Sequence, residues 1–305
     1  MSTVSTSTGA YYSRSLTQMN GLRTSLEDLQ TQIATGQRIY RGSQDPAAAA
    51  RLRTLNRVEV LGDIQQDNAA KLEQDLTFAA EQVGGVADIL IRAKELALRG
   101  STDTLGDTAR DAIAEELEQL GEELFDRANG LTLTGEPLFA GTASGPAFVR
   151  DASGTVTYNG NDDVGAVPVA PGTEIERGVT GRQVFEFDVN GASTDTFAVF
   201  GALVDAYRTG GPGVAAAALA QIDGLDAALD TINRNQAVLG TRAAWVEVVQ
   251  DNQAERDIAT AQQRSQVGDT NIADAVARLQ QTLTALEASQ ASFARVSSLT
   301  LFNAI

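Results

Sequence analysis

The chain contains no cysteine and no histidine in 305 residues, and those two gaps remove whole classes of chemistry. Without thiolate or imidazole the usual zinc, haem-iron and iron–sulfur ligand sets cannot be assembled. Ser-His-Asp and Cys-His catalysis lose their base. Lysine is scarce too: Lys71 and Lys94 are the only two, and both read as exposed helix positions, a poor setting for a Schiff base. Positive charge is in deficit, with 23 Lys plus Arg against 40 Asp plus Glu and a formal charge of -17. Such a surface repels nucleic acid and anionic lipid, so neither a nucleic-acid partner nor membrane insertion is expected. No run approaches the length of a membrane span, and Met1 to Gly9 is Ser/Thr-rich without the basic and apolar regions of a cleavable signal peptide. Aromatics make up only 5% of residues, which suits long helices with narrow apolar seams better than a thick globular core.

What remains for chemistry is carboxylates, tyrosine and oxygen-ligand cations. The acid pairs Glu115-Glu116, Glu122-Glu123 and Asp162-Asp163 are sequence neighbours, which on a helix do not face a common substrate. They read as solvated faces. Asn159-Gly160-Asn161-Asp162-Asp163 has the composition of a calcium loop but neither the twelve-residue spacing nor the closing Glu, and reads as a hairpin turn. Trp245, the single tryptophan, reads as a packing anchor on a long helix. The expectation is a protein that is not an enzyme and carries no cofactor and no metal.

Glycine and proline divide the chain. Residues 130 to 213 hold 15 of the 28 Gly and five of the six Pro, so the flanks are helical and the middle is turn-rich. In the first flank Leu16, Met19, Leu22, Leu26, Leu29 and Ile33 follow three-and-four spacing, which predicts a helix from about Ser13 to Thr35 ended by Gly36. Asp45-Pro46 offers an N-cap followed by proline at the first helical position. A long helix should run from there to about Arg99, carrying Leu52, Leu55, Leu72, Leu76, Val83, Val86 and Leu90, with a weak point at Gly84-Gly85. Gly100 to Gly106 reads as a turn. Asp107 is placed to cap a third helix bearing Ile113, Leu117, Leu120 and Leu124, stopped by Asn129-Gly130.

Near the other end, Leu219, Ile222, Leu225, Leu229, Ile232, Leu239, Val246 and Val249 mark a helix to about Gln263. After Gly268 a last helix carries Ile272, Val276, Leu279, Leu283, Leu286, Phe293 and Val296, with Leu299 and Phe302 continuing the stripe. Neither terminal stripe can be buried by its own helix, so the first and last helices should pair as a coiled coil. Thr155 to Tyr158 and Gln183 to Val189 alternate as strands, bounded by Asn159-Gly160 and Asn190-Gly191. The expected fold is mainly α with a small β domain: a long antiparallel helical bundle built from both termini, plus an inserted β-rich tip. Its domains would be 1–44 with 266–305 (terminal coiled coil), 45–132 with 206–265 (helical rod) and 133–205 (outer β domain).

IATGQRIYRGSQDPAAAARL at 33 to 52 resembles the block that follows the first helix in the flagellin superfamily. GEPLFAGT at 135 to 142, VTYNGNDD at 156 to 163, GRQVFEFDVNG at 181 to 191 and the ending VSSLTLFNAI are similar to its hook-associated members. Gln44 departs from the pattern, where an acidic residue is common. The resemblance implies an axial protein exported unfolded through the flagellar type III channel, which reconciles an extracellular place in the bacterial flagellum with the missing signal peptide. It implies assembly as an adapter between hook and filament, in a ring of identical subunits, touching a neighbouring hook-associated protein and flagellin and served by an export chaperone. The assembly interface would be Leu16, Met19, Leu22, Leu26, Leu29, Ile33, Leu279, Leu283, Leu286, Phe293, Val296, Leu299 and Phe302. Two other readings stand beside it: a flagellin that forms the filament itself, and a surface protein that binds polysaccharide or a receptor through exposed aromatics between 133 and 205.

Overall fold

The structure, a computed structural model, describes residues 2–100, 106–132, 134–211 and 213–302, with side chains between residues 9 and 297. The turn expected at 101–105 lies outside the described residues. The chain divides into two compact units, Met1–Leu61 with Arg256–Ile305, and Gly62–Glu255.

In the first unit, α1 (Ser2–Thr35) packs along α8 (Ile272–Phe302). Helix α1 begins well before the expected Ser13 and ends as expected: Gly36 takes φ +71 and its N–H reaches the Gln32 carbonyl at 2.9 Å, a glycine stop in the left-handed region. Helix α2 (Pro46–Gly100) starts where its cap predicts, with the Asp45 carboxylate accepting from the Ala48 N–H at 3.0 Å. Helix α7 (Ile222–Gly268) closes this unit and runs five residues past the expected Gln263.

The second unit holds the rest of α2 and α7, α3 (Asp107–Ala128), three hairpins and three shorter helices. Its core is one continuous apolar cluster drawn from residues 69 to 249. Leu76, Val83, Val86 and Leu90 of α2, Leu117 and Leu124 of α3, and Leu225, Ile232, Leu239 and Val246 of α7 are all completely buried, as their spacing requires. Helix α2 does not break at Gly84-Gly85. A Cβ on Gly85 would lie 2.2 Å from the Arg127 guanidinium of α3, and one on Gly84 would lie 2.8 Å from the Gln236 amide of α7. The glycine pair therefore admits neighbouring side chains to the helix surface rather than weakening it.

Helix α3 is capped by Gly106, without a side-chain bond, while Asp107 is its first residue and pairs with Arg110 at 2.9 Å. Gln183 to Val189 is not one strand: Thr180 and Gln183 form a reciprocal capping box, at 3.2 and 3.0 Å, that winds α4 (Gly181–Phe185) before β5 (Glu186–Val189) begins. Trp245 is half exposed, because Val246 and Val249 take the buried face of α7.

The strands pair only as separate antiparallel hairpins. They are β1 (Phe148–Arg150) with β2 (Val156–Tyr158), β3 (Ala166–Ala170) with β4 (Thr173–Glu176), and β5 with β6 (Ala192–Asp195). Asn190-Gly191 makes the two-residue turn expected of it, with φ 52 and 83 and Val189 opposite Ala192. Asn159-Gly160 does not turn a hairpin; the β1–β2 connection is 151–155, organised by the Asp151 carboxylate, which accepts from the Ser153 and Thr155 N–H groups at 2.8 and 2.9 Å. The 159–163 loop instead clips to the GEPLFAGT segment: the Asn161 amide bonds Thr142 at 3.0 and 2.8 Å, and the Tyr158 hydroxyl donates to the Asn161 and Phe139 carbonyls.

The segment after β6 is helical. Asp195 caps α5 (Thr196–Thr209) through the Ala198 N–H at 2.8 Å, and α5 buries Val199, Phe200, Leu203 and Tyr207 before the short α6 (Val214–Ala220). Phe139, Phe148, Phe185 and Phe197 meet edge to face, tilted and stacked at centroid distances of 5.0–5.9 Å. Phe139, Phe148, Phe185 and Phe187 are buried, so the aromatics that a binding surface would need serve as core.

Candidate assembly surface

The first unit has an unusual distribution of apolar side chains. Among its described residues the buried apolar side chains are Ile39, Leu55 and Ala275. Met19, Leu22, Leu26, Leu29, Ile33, Leu279, Leu286, Phe293 and Val296 are half-buried, and Leu16 and Leu283 are exposed. The structure brings the expected seam together along α1 and α8; Tyr12 meets Phe293 edge to face at 5.2 Å. One helix can cover only one side of another's stripe, so part of the apolar area of each residue stays in water. The side chains of Leu299 and Phe302 lie outside the described residues.

The far end of the pair is fastened by main chain. Gln37 bridges Asp269, the Arg38 N–H reaches the Gly268 carbonyl at 2.7 Å, and the Thr270 N–H reaches the Gly36 carbonyl at 2.8 Å. The Arg38 guanidinium donates to the Val267 carbonyl at 2.7 and 3.3 Å. Tyr40 donates its hydroxyl to the Asp28 carboxylate, and that bond holds its pKa above the ordinary tyrosine value. Gln44 uses its side-chain oxygen to accept from the Tyr40 and Arg41 N–H groups at 3.2 and 3.3 Å. A carboxylate could accept the same two bonds, so the departure at Gln44 keeps the loop's architecture.

Further exposed apolar surface in this unit was not anticipated. Val58, Val60 and Leu61 of α2 and Ile258 of α7 are each 48–60% exposed. The three-residue spacing of Val58 and Leu61 carried the signal, masked by the intervening Glu59. Glu59 itself pairs with Arg264 at 2.6 Å, a half-exposed contact of the kind that contributes little.

At least one acid of each pair makes an ordinary surface ion pair in the second unit. Glu116 binds Arg92, Glu122 binds Arg150, Glu123 binds Arg127 and Asp162 binds Arg182, at 2.6–3.1 Å. A cleft of about 360 Å³ lies beside Asp75, Glu136 and Arg177. Burial pushes the Asp75 carboxyl up, while Arg177 is held by Glu136.

Residues 6–144 match the family of the bacterial flagellin N-terminal helical region. Flagellar hook-associated protein 3 of Escherichia coli is 24% identical over 285 residues, covering 89% of this chain and 90% of that protein. The decisive likeness is in three dimensions: a flagellar hook-associated protein from Vibrio parahaemolyticus superposes with a TM-score of 0.68 at 22% identity, over 74% of this chain and all of that one. The chain has the fold of the flagellar hook-associated proteins. The flagellar junction protein of Legionella pneumophila shares that fold at a TM-score of 0.59 and 14% identity, over 71% of this chain and 99% of that one.

Proposed function

We propose that the chain is a structural adapter of the bacterial flagellum, placed where hook meets filament, and that it acts by assembly and not by catalysis. One observation carries the reading: the α1–α8 pair leaves its apolar seam incompletely covered, in a unit with almost no buried apolar core of its own. Such a surface is satisfied when copies pack side by side. Leu16 to Ile33 and Leu279 to Phe302 then form the contact between subunits, with 1–44 and 266–305 as the terminal layer, 45–132 and 206–265 making lateral contacts, and 133–205 facing outward. The partners are identical copies in a ring, a neighbouring hook-associated protein, flagellin, and a chaperone that accompanies the chain to the type III export channel. The names of the hook-associated relatives support the junction over the filament.

Deleting the gene and viewing the cells by electron microscopy tests this. Complete hooks without filaments are expected, and normal filaments would refute it. Purified chain that grows without limit into filaments would instead make it a flagellin.

A further inference from the structure

Four Asn-Gly pairs occur in the chain, at 20–21, 129–130, 159–160 and 190–191. An asparagine followed by glycine is the sequence most open to internal attack, because no Cβ shields the next amide nitrogen. The structure treats the four differently. Asn20 and Gly21 lie inside α1, whose ladder holds the Gly21 amide. The Asn129 side chain accepts from the Phe148 N–H at 2.9 Å, and the Gly130 N–H donates to the Arg127 carbonyl at 3.0 Å. The Asn159 amide donates to the Pro146 carbonyl at 3.4 Å, and Gly160 is wedged against the Tyr158 hydroxyl and the Ala140 carbonyl.

Asn190-Gly191 has none of these restraints. Both residues are exposed at the β5–β6 tip, Gly191 has open space where a Cβ would stand, and both lie outside the ladder that ends at Val189 and Ala192. Asn190 also takes φ 52, the one positive φ among the described non-glycine residues, so relaxing it relieves a mild strain.

We infer that Asn190 is a spontaneous modification site, the place where the folded protein deamidates. The Gly191 amide nitrogen bonds to the Asn190 side-chain carbonyl carbon and loses its proton. The bond from that carbon to the Asn190 side-chain nitrogen, Nδ2, breaks, and Nδ2 takes up the proton and leaves as ammonia. Solvent water then opens the resulting succinimide at either carbonyl, giving aspartate or isoaspartate, with no change in oxidation state. The isoaspartyl product inserts a methylene into a two-residue loop. Because loop length sets hairpin register, β5 and β6 lose their pairing next to Phe187, which is buried in the core. Either product adds a negative charge to a chain already at -17. This inference stands apart from the assembly reading and survives if that reading fails.

The test is ageing of the full-length chain in mildly alkaline buffer, native and in denaturant, followed by peptide mapping with isoaspartate detection. In the native chain the Asn190 peptide should convert about tenfold faster than those of Asn20, Asn129 and Asn159, a difference of about 1.4 kcal/mol in barrier. In denaturant the four rates should converge. Native conversion at Asn129 or Asn159 that keeps pace with Asn190, or an Asn190 that converts more slowly folded than unfolded, would overturn the assignment.

Discussion

Replacing Leu26 by alanine should weaken the first unit and leave the second untouched. Leu26 is half-buried in the α1–α8 seam; full burial of a leucine contributes about 1.5–3 kcal/mol, so the loss here is about 1 kcal/mol. The apolar cluster of the second unit, from residue 69 to 249, includes no side chain from α1 or α8, so its stability should not respond. Two optical probes separate the units. Far-ultraviolet circular dichroism reports all the helices, while fluorescence of Trp245, the only tryptophan, reports the second unit alone. On heating, the dichroism of the native chain should show an early step that precedes the fluorescence transition. The L26A substitution should lower that early step by about 5 °C and leave the fluorescence midpoint where it was. Coincident transitions that move together would show a single cooperative system, and the claim that the terminal helices depend on assembly for their stability would fall.

The hydroxyl of Tyr207, completely enclosed, donates to the Leu96 and Ala97 carbonyls at 3.2 and 3.1 Å, and burial pushes its pKa up to about 12 from 10.0. A raised pKa means the protonated form is favoured by folding, so that stability is complete below pH 10 and drains away as pH climbs from 10 toward 12; Tyr207→Phe should cost about 1 kcal/mol near neutrality and flatten the alkaline limb of a stability-against-pH curve measured by denaturant titration. Gly100 lies against the same ring, and a Cβ there would stand 2.0–2.4 Å from three of its atoms. Since Tyr207 is held on every side, Gly100→Ala should destabilise by about 1–3 kcal/mol despite alanine's better helix propensity, and an unchanged or raised unfolding midpoint would contradict the packing described.

The long helices were legible because their apolar residues repeat with a helical period that survives any detail of context: Leu72, Leu76, Val83, Val86 and Leu90 are buried as their spacing demands. Tight contacts were not legible. Gly84-Gly85 reads as a defect until Arg127 and Gln236 are seen against it. In the middle, QVFEF alternates like a strand, but the capping box between Thr180 and Gln183 satisfies the first amides of a helical turn and wins locally. Helix α5 carried a readable Asp195 cap and a spaced apolar face, overshadowed by the turn-rich composition around it. For the candidate assembly surface, periodicity named the face along which α1 and α8 pack on each other. How much of that face one partner helix covers depends on geometry that a single stripe does not encode.

The fastening at Gln37–Asp269 bears on how force passes through the chain. Residues 36–38 and 267–270 are cross-linked by two main-chain bonds and the Arg38 fork. A tug delivered along α1 therefore cannot peel that helix away alone; it is handed to α8 within a few residues. Bonds that share a load and must rupture together resist far more than bonds broken one after another. Under tension the two terminal helices would act as a single strap with its buckle at Arg38.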